Sequence, residues 1–360
     1  MKILHLIATY PPNQNGGSAY SLYRLNCSLD HINKVVLSGN VIKNNLNNYY
    51  VHDNMHKVYF HNKFSPFFLL RVLKEFFSSD IIQLSSFFFL PNFYVFVLAK
   101  FYKKKVIISP RGEFFSYAFK KNKKLKSFFL SFFKFLKLSV YFHVTSNKEY
   151  EIINSIFDLK KSSIHKIYNS FENNNVFNEA RLDNILFLGR INPIKNIHSL
   201  FSVLKELNNV ILTIAGPANS NYEKKYLDFL KKEIIRLKIE KKVKFVGTIY
   251  DELKFKTIAK SKILVLPSKS ENFGNVVLES LAQQTPVLAS YGTPWESLEE
   301  YGCGFQINFE DKDELIKKIN LLINYQKKDY LKLKKNSKLF LEQFSYNRIN
   351  NKWKDLYKIY

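Results

Sequence analysis

The chain has 360 residues, of which 46% are hydrophobic and 24% are charged, and its formal net charge is +25. This balance is typical of a folded globular protein rather than a disordered one, and the length suggests two domains. Two cysteines are too few for a disulfide framework, and no Cys/His spacing indicates zinc, so a cytoplasmic location is expected. The charge forms no arginine-rich run or RNA-binding motif. We therefore expect no nucleic-acid partner and regard an anionic membrane surface as the better basic partner.

The first eight residues combine a lysine with a short apolar run, as a signal peptide does. The run is interrupted by His5 and leads into Tyr10-Pro11-Pro12 without a small-residue cleavage site. We therefore expect it to form the first β-strand. No apolar run approaches the roughly 20 residues that span a bilayer.

Short apolar runs alternate with segments of helical periodicity almost throughout, which is the pattern of parallel α/β units. Strands are expected to begin near Lys2, Lys34, Asp80, Lys105, Val140 and Ser163, and again near Asn184, Val210, Val243, Ile263, Pro286 and Phe305. Helices are expected to begin near Ser18, Pro66, Pro91, Phe114 and Asn147, and again near Lys195, Tyr222, Asp251, Gly274, Asp311, Lys327 and Tyr346.

An asparagine-rich loop after Asn169 divides these elements into two sets. The sequence predicts a first domain at 1–168, a linker at 169–183 and a second domain at 184–345. Each would be a Rossmann-like, doubly wound parallel sheet. Because such sheets bind ligands beyond the carboxyl ends of their strands, we expect the site in a central cleft that both domains face.

The strongest motif follows the expected strand that ends at Pro267. Glu271-Asn272-Phe273-Gly274-Asn275 precedes a helix, and Glu279 lies within that helix. Backbone amides at a helix start bind anionic or hydroxyl-rich ligands, and a glycine lets the ligand approach closely. Two carboxylates in these positions can bind sugar and ribose hydroxyls, although an ordinary solvated helix would show the same residues.

A second motif follows the first strand of the second half, where Gly189 and Arg190 are followed by Lys195. The glycine permits close backbone approach, and the two cations can neutralise a departing diphosphate. The simpler interpretation is a strand-to-helix turn with surface cations.

A third, weaker motif is the pair Gly16-Gly17 in the loop after the first strand. Its amides can face a phosphate or an acceptor. The loop matches neither GxGxxG nor the phosphate loop GxxxxGK[ST], so neither NAD chemistry nor ATP hydrolysis is supported, and no cofactor is expected.

The order of these motifs (a Gly-Gly loop, then GR(x4)K, then Glu271 eight residues before Glu279) resembles the retaining family four glycosyltransferases of GT-B fold. The resemblance runs through nearly the whole chain. Residues 292–296 and 109–113 resemble loops of members that build bacterial polysaccharide and lipopolysaccharide.

The resemblance implies that Arg190 and Lys195 hold the diphosphate of a nucleotide-sugar donor and that Glu279 binds its ribose. Glu271 and the amides of Phe273 and Gly274 would then face the transferred sugar. It implies same-face attack, in which stabilising the leaving phosphate matters more than a protein base. It also implies that a terminal helix, residues 346–360, crosses back to the first domain.

Many relatives carry a histidine where this chain has Pro110-Arg111. Arg111 is therefore a candidate contact for the sugar or the acceptor, and His143, one strand later, is expected to be a core or cleft-wall residue. The one Asp-x-Asp triplet, Asp311-Lys312-Asp313, opens a predicted helix, where acidic residues serve capping, so no metal site is expected.

The segment Phe114–Leu138 is rich in phenylalanine and lysine. Leu125, Phe128, Phe129, Phe132, Phe133 and Leu136 share one helical face. We expect that face to dock on the sheet. Leu130 and Phe135 lie off it and, with the lysines, indicate contact with an anionic membrane.

The sequence therefore favours a metal-independent glycosyltransferase that acts on a lipid-linked or polysaccharide acceptor. It also allows a peripheral position at the inner face of the membrane. Two alternatives remain open: a GT-B sugar-nucleotide epimerase or hydrolase, and a non-catalytic nucleotide-sugar-binding protein.

Overall fold

The computed structural model describes residues 1–11, 17–29, 31–40, 49–53, 56–158, 160–172 and 175–358. It divides into two compact units. The first comprises Met1–Ser170 with Phe344–Tyr360, and the second comprises Phe171–Gln343.

The first unit contains an eight-stranded sheet in the order β3-β4-β2-β1-β5-β6-β7-β8. Its strands are β1 (Lys2–Ile7), β2 (Asn33–Ser38), β3 (Tyr49–Asp53), β4 (His56–Phe60), β5 (Ile81–Leu84), β6 (Lys105–Ile108), β7 (Tyr141–Val144) and β8 (Ile164–Lys166). Every neighbouring pair is parallel except β3 and β4, which are antiparallel. This sheet has the doubly wound order, because the chain runs outward in both directions from β1.

Helices cover both faces of this sheet. They are α1 (Gly17–Ser28), α2 (Pro66–Ser78), α3 (Pro91–Tyr102), α4 (Ser116–Lys120), α5 (Lys123–Leu136), α6 (Asn147–Phe157) and, at the end of the chain, α13 (Tyr346–Lys358). The helices α2, α3 and α5 contribute buried residues to one core cluster, whereas α1 and α13 contribute to another. Within the first unit, α13 is fixed by Tyr357, whose Oη donates to Gln83 Oε1 at 2.6 Å, and by Asn350, whose Oδ1 accepts from Ser28 Oγ at 2.9 Å.

The second unit contains six parallel strands in the order β11-β10-β9-β12-β13-β14. They are β9 (Leu182–Leu188), β10 (Ile211–Ala215), β11 (Val243–Gly247), β12 (Ser261–Leu266), β13 (Val287–Ser290) and β14 (Gly304–Ile307). The helices are α7 (Phe201–Leu204), α8 (Asn221–Arg236), α9 (Asp251–Lys260), α10 (Val276–Ala282), α11 (Lys312–Ile323) and α12 (Lys327–Glu342). The central strands are buried on both faces, as expected of a parallel sheet between helices.

All twelve expected strands are present, and each begins within two residues of its predicted position. The sequence analysis missed β3 and β4. The short apolar alternation of Val58 and Phe60, both fully buried, was the available signal for β4. No described helix combines the length and the apolar character that crossing a bilayer requires.

The prediction for the apolar face of α5 is wrong in part. Phe129 and Phe133 are buried in the core, but Leu125 and Phe128 of the same predicted face are exposed. Leu130, which was placed off that face, packs against the core. The buried stripe is narrow because α5 packs against α3, where Phe129 and Phe133 both contact the Phe96 ring.

Candidate functional site

Three loops of the second unit meet where the neighbouring strands β9, β12 and β13 end. Parallel strands bring their carboxyl ends to one edge of a sheet, so their loops are neighbours. The Lys269 amide, after β12, donates to the Ile194 carbonyl, after β9, at 2.8 Å. The Glu271 amide donates to the Gly292 carbonyl, after β13, at 2.9 Å. The backbone therefore holds all three loops in a fixed register.

The loop after β9 turns sharply and places Lys195 in a short 3₁₀ helix, Pro193–Lys195, rather than in the α-helix that was expected there. Asn192 caps this turn, since its Oδ1 accepts from the Ile194 amide at 3.2 Å. Asn196 ends it with a φ of +53°, a conformation that asparagine tolerates better than most residues. The sequence Asn-Pro-x-Lys-Asn thus fixes the lysine backbone.

Lys195 and Glu271 form an ion pair between two of these loops: Nζ contacts Oε2. The Ser268 hydroxyl also donates to this carboxylate oxygen, at 3.4 Å. Both charged side chains are only about one-sixth exposed, at 15% and 17%. The pair is therefore partly shielded from water, where charge interactions are stronger than at the open surface.

Gly274 has a φ of +81° and lies in close contact with its surroundings. A Cβ there would lie 3.0 Å from Leu266 Cδ2 and 3.2 Å from both Glu271 Cγ and Trp295 Nε1. Its left-handed backbone cannot belong to an α-helix, so α10 begins at Val276, two residues later than predicted. Phe273 is buried beside Trp295, with ring centroids 5.0 Å apart.

The carboxylate of Glu279, on α10, is held by a lysine that the sequence analysis did not identify. Lys254 Nζ, on α9, lies 2.9 Å from Glu279 Oε1, and both side chains are largely buried. Lys254 follows β11, so the pair connects the helices after β11 and β12. Only the tertiary structure could show this contact, because 25 residues separate the two side chains in sequence.

Arg190 is 65% exposed and makes a long contact, 3.4 Å, with Glu223. Such a pair contributes little to stability. Burial raises the pKa of Glu223, but hydrogen bonds from Ser220, Asn192 and Asn219 outweigh that effect and lower the pKa overall. Ser220 and Glu223 form a capping box at the start of α8. The Ser-x-x-Glu spacing is a sequence signal for this helix start, and the sequence analysis missed it.

The second unit also contains a cavity of about 320 Å³ beside the ends of β10 and β11. Gly216 and Gly247 line it, together with Thr248 and Lys231. Gly216 approaches Gly189 so closely that a Cβ would lie 1.8 Å from the Gly189 carbonyl oxygen. The neighbouring strands β9, β10 and β11 therefore each end at or directly before a glycine: Gly189, Gly216 and Gly247. The missing side chains leave space at this edge of the sheet.

The structure thus places Gly189, Arg190, Lys195, Glu279 and the predicted segment 271–275 along one edge of the second sheet. Gly17 and Arg111 belong to the first unit, and Gly16 lies outside the described residues. Gly17 opens α1.

Arg111 follows β6 with a φ of +56°, and its Nη1 donates to Asn169 Oδ1 at 2.8 Å. Burial lowers its pKa to about 10. Glu149, on α6, accepts from the Gly112 amide at 2.6 Å and from the Thr145 amide at 3.0 Å, which joins the loops after β6 and β7. Arg111 as a sugar or acceptor contact stays a prediction.

His143 is a core residue, as expected. It is 2% exposed, and its ring nitrogens lie 2.9 Å from Ser109 Oγ and 2.9 Å from the Ile167 carbonyl. Burial holds its pKa well below the usual value.

The Asp311-Lys312-Asp313 triplet lies at the start of α11. Asp311 caps this helix, because its Oδ1 accepts from the Glu314 amide at 3.0 Å, and Asp313 lies in the first turn. Among the described residues, no three His, Cys, Asp or Glu side chains are grouped as metal ligands.

Comparison with known proteins gives one family match. Residues 170–340 match the model of glycosyl transferases group 1. This region contains every residue of the second-unit site.

Curated relatives match part of the chain. The chain is 27% identical over 180 residues to an uncharacterized glycosyltransferase of Methanocaldococcus jannaschii. That match covers 49% of this chain and 44% of the relative. The chain is 30% identical over 139 residues to the O-antigen chain mannosyltransferase RfbU of Salmonella typhimurium, covering 37% of each. The chain thus spans less than half the length of each of these curated relatives.

A solved structure matches over nearly the full length. HepE of Anabaena, in complex with UDP and glucose, superposes with a TM-score of 0.78 at 18% identity and covers 99% of both chains. The chain has two units, each built on a largely parallel α/β sheet. Together with these units, the likeness to HepE shows the GT-B fold. The family match of residues 170–340 spans just under half of the chain.

Proposed function

We propose that the chain is a metal-independent, retaining glycosyltransferase that moves a sugar from a nucleotide diphosphate onto a cell-surface glycan acceptor. The observation that carries this proposal is the convergence of Lys195, Glu271 and the Gly274 turn at one edge of the second sheet. A cation, a carboxylate and a close backbone approach are what a sugar diphosphate requires. HepE was solved with UDP and with UDP-glucose, so a UDP-sugar is the first donor to test.

In this proposal Arg190 and Lys195 bind the diphosphate. Arg190 is largely exposed, and among the described residues its one ion pair is the long contact with Glu223, so it can turn to a phosphate at little cost. Lys195 is already fixed by its ion pair with Glu271. As the bond to the sugar breaks, negative charge grows on the leaving phosphate, and fixed cations stabilise that charge more than they stabilise the bound donor.

Glu271 would face the transferred sugar, and the departing phosphate would take the proton from the acceptor hydroxyl on the same face. That step forms one glycosidic bond and breaks the sugar–phosphate bond. The leaving group serves as the base, so the proposal requires no protein base at the acceptor side. The acceptor would be lipid-linked or polysaccharide, in keeping with a relative named for O-antigen chain synthesis. The first unit, with Arg111, would receive it.

Glu279 would bind the ribose hydroxyls, and we expect Lys254 to position it. Replacing Lys254 with Met removes the 2.9 Å ion pair that helps to fix the position of this carboxylate. Preference for UDP over its 2′-deoxy analogue should then fall by about tenfold, the effect of one charge-assisted hydrogen bond. Isothermal titration calorimetry with UDP and with its 2′-deoxy analogue measures this preference.

Glu279→Gln should reduce the same preference, and the double variant should add little to either single change. Lys256→Met, on the same helix but paired with Glu252, is the matched control. If Lys254→Met weakened both nucleotides equally, or only lowered the unfolding temperature, Lys254 would not act through the ribose contact.

The function itself is tested by a thermal-shift screen of nucleotide sugars. A ligand at about one hundred times its Kd should raise the unfolding temperature by about 5 °C or more. UDP release is then followed with and without a lipid-linked glycan fraction, and again with chelator. Release that requires the acceptor and survives chelation supports the proposal. Turnover without acceptor indicates an epimerase or hydrolase, and binding without any turnover indicates a non-catalytic protein.

A further inference from the structure

One helical layer of the first unit presents apolar side chains to solvent. The helices α2, α3 and α5 pack side by side, α3 between the other two, on the same face of the sheet. Their opposite sides carry exposed apolar residues, with Phe67 at 71%, Phe101 at 75% and Phe135 at 80% exposure. The whole exposed set is Phe67, Leu69, Leu70, Phe77, Phe101, Tyr102, Leu125, Phe128 and Phe135. Isolated exposed apolar residues are ordinary, but such a group on adjoining helices marks an interaction surface.

Helical spacing aligns these residues into stripes. On α2, Phe67, Leu70 and Phe77 lie at positions i, i+3 and i+10, which share one side of an α-helix. On α5, Leu125, Phe128 and Phe135 have the same spacing.

Ring contacts connect α3 to the helix on each side of it. Phe77 of α2 meets Tyr102 of α3 with centroids 4.7 Å apart, and Phe93 of α3 stacks on Phe132 of α5 at 3.9 Å. The outer sides of α2, α3 and α5 thus form one continuous surface, which we name the three-helix face.

The charge on these helices and their connections has a single sign. Only three acids occur between residues 61 and 138, namely Glu75, Asp80 and Glu113. Each is bound by the protein itself: Glu75 by Lys2 Nζ at 2.8 Å, Asp80 by the Lys2 amide at 2.7 Å, and Glu113 by the Ser86 hydroxyl at 2.5 Å. The exposed lysines are Lys63, Lys74, Lys100, Lys103, Lys120, Lys121, Lys123, Lys124, Lys134 and Lys137.

We infer that the three-helix face rests on an anionic lipid bilayer. Phenylalanine and leucine would enter the boundary between headgroups and acyl chains, and the surrounding lysines would pair with lipid phosphates. A second copy of the chain fits poorly, because two such faces would bring their lysines together. The surface reaches beyond the segment Phe114–Leu138, since α2 and α3 lie outside it. The inference is independent of the donor chemistry.

The experiment is co-sedimentation of the full chain with vesicles. Phosphatidylcholine vesicles with about one-third phosphatidylglycerol should bind it, and pure phosphatidylcholine vesicles should bind at least tenfold less. Raising the salt from about 0.05 M to about 0.5 M should weaken binding, because the Debye length shortens. Equal binding to both vesicle types would overturn the inference.

Apolar variants test the extent of the face. Phe67→Ser with Leu70→Ser, on α2, should weaken vesicle binding at least tenfold, as should Phe128→Ser with Phe135→Ser on α5. The matched control, Leu331→Ser with Leu339→Ser, changes exposed leucines on α12 of the second unit and should bind normally. These side chains are exposed, so each variant should keep its fold, which circular dichroism checks. If the α2 pair bound normally, the surface would not include α2, and the three-helix face would be wrong.

Charge variants complete the test. Lys121, Lys123 and Lys124 changed to Ala should weaken binding about a hundredfold at low salt, whereas Lys334, Lys335 and Lys338 changed to Ala should have little effect. If the two triple variants lost binding equally, net charge alone would drive it and the face would be refuted. A dimer seen by light scattering and abolished by the α2 pair, with no vesicle binding, would assign the face to self-association instead.

Discussion

Lys195→Ala should lower turnover by about 10²–10³-fold while the chain stays folded, because it removes a preorganised charge from the leaving phosphate. Lys195 is part-buried and fixed by both Glu271 and the 3₁₀ turn, so its charge is held in place before the donor binds. Arg190→Ala should reduce turnover too, by a smaller factor, since an exposed cation acts through a higher dielectric. Initial rates of UDP release with donor and acceptor measure both effects.

The control for these variants is Lys232→Ala, which removes an exposed lysine from α8 of the same unit and should leave the rate unchanged. Lys195→Arg keeps the charge but alters its shape, so it should restore only part of the activity. Near-normal rates in both alanine variants would show that the diphosphate is bound elsewhere, and the proposed donor site would be lost. If Lys195→Ala did not fold, the rate of Arg190→Ala alone would test the diphosphate-binding role.

Gly216→Ala should destabilise the second unit by about 4 kcal/mol, the combined cost of an overpacked contact and a strained backbone. Its φ is +147°, and a Cβ would lie 1.8 Å from the Gly189 carbonyl oxygen. Neither strand end can easily move away. The Gly216 amide donates to the Gly247 carbonyl at 2.7 Å, and the Gly189 amide donates to the Ala215 carbonyl at 2.9 Å. The strain falls one residue from Arg190, so turnover should fall as well.

Gly247→Ala is the matched control, because it has a φ of +69° but nothing within 4 Å of the added Cβ. It should cost only the left-handed backbone penalty, about 1–2 kcal/mol. The chain has two tryptophans, Trp295 in the second unit and Trp353 in the first. Urea unfolding followed through Trp295 in a Trp353→Phe background therefore reports on the relevant unit. Equal losses in the two glycine variants would contradict the contact with Gly189.

The element order and fold class could be read from the sequence because parallel α/β units repeat a simple pattern. Central strands such as β9 and β12 are buried on both faces and appear as continuous apolar runs. The strand β3, at the edge of the sheet, and its neighbour β4 lack that pattern and were missed. The boundary of α10 was misplaced because the sequence shows that position 274 is a glycine but not its dihedral angles.

The candidate site divides in the same way. The sequence by itself determined which residues follow which strand, and a parallel sheet brings those strand ends to one edge, so Arg190, Lys195 and Glu271 could be grouped in advance. Only the tertiary structure decided which charges pair, because contacts such as Lys254 with Glu279 depend on how two helices approach. It also decided which side of α5 faces outward. The apolar pattern there surrounds most of the helix, and burial was settled by what packs against it, not by periodicity.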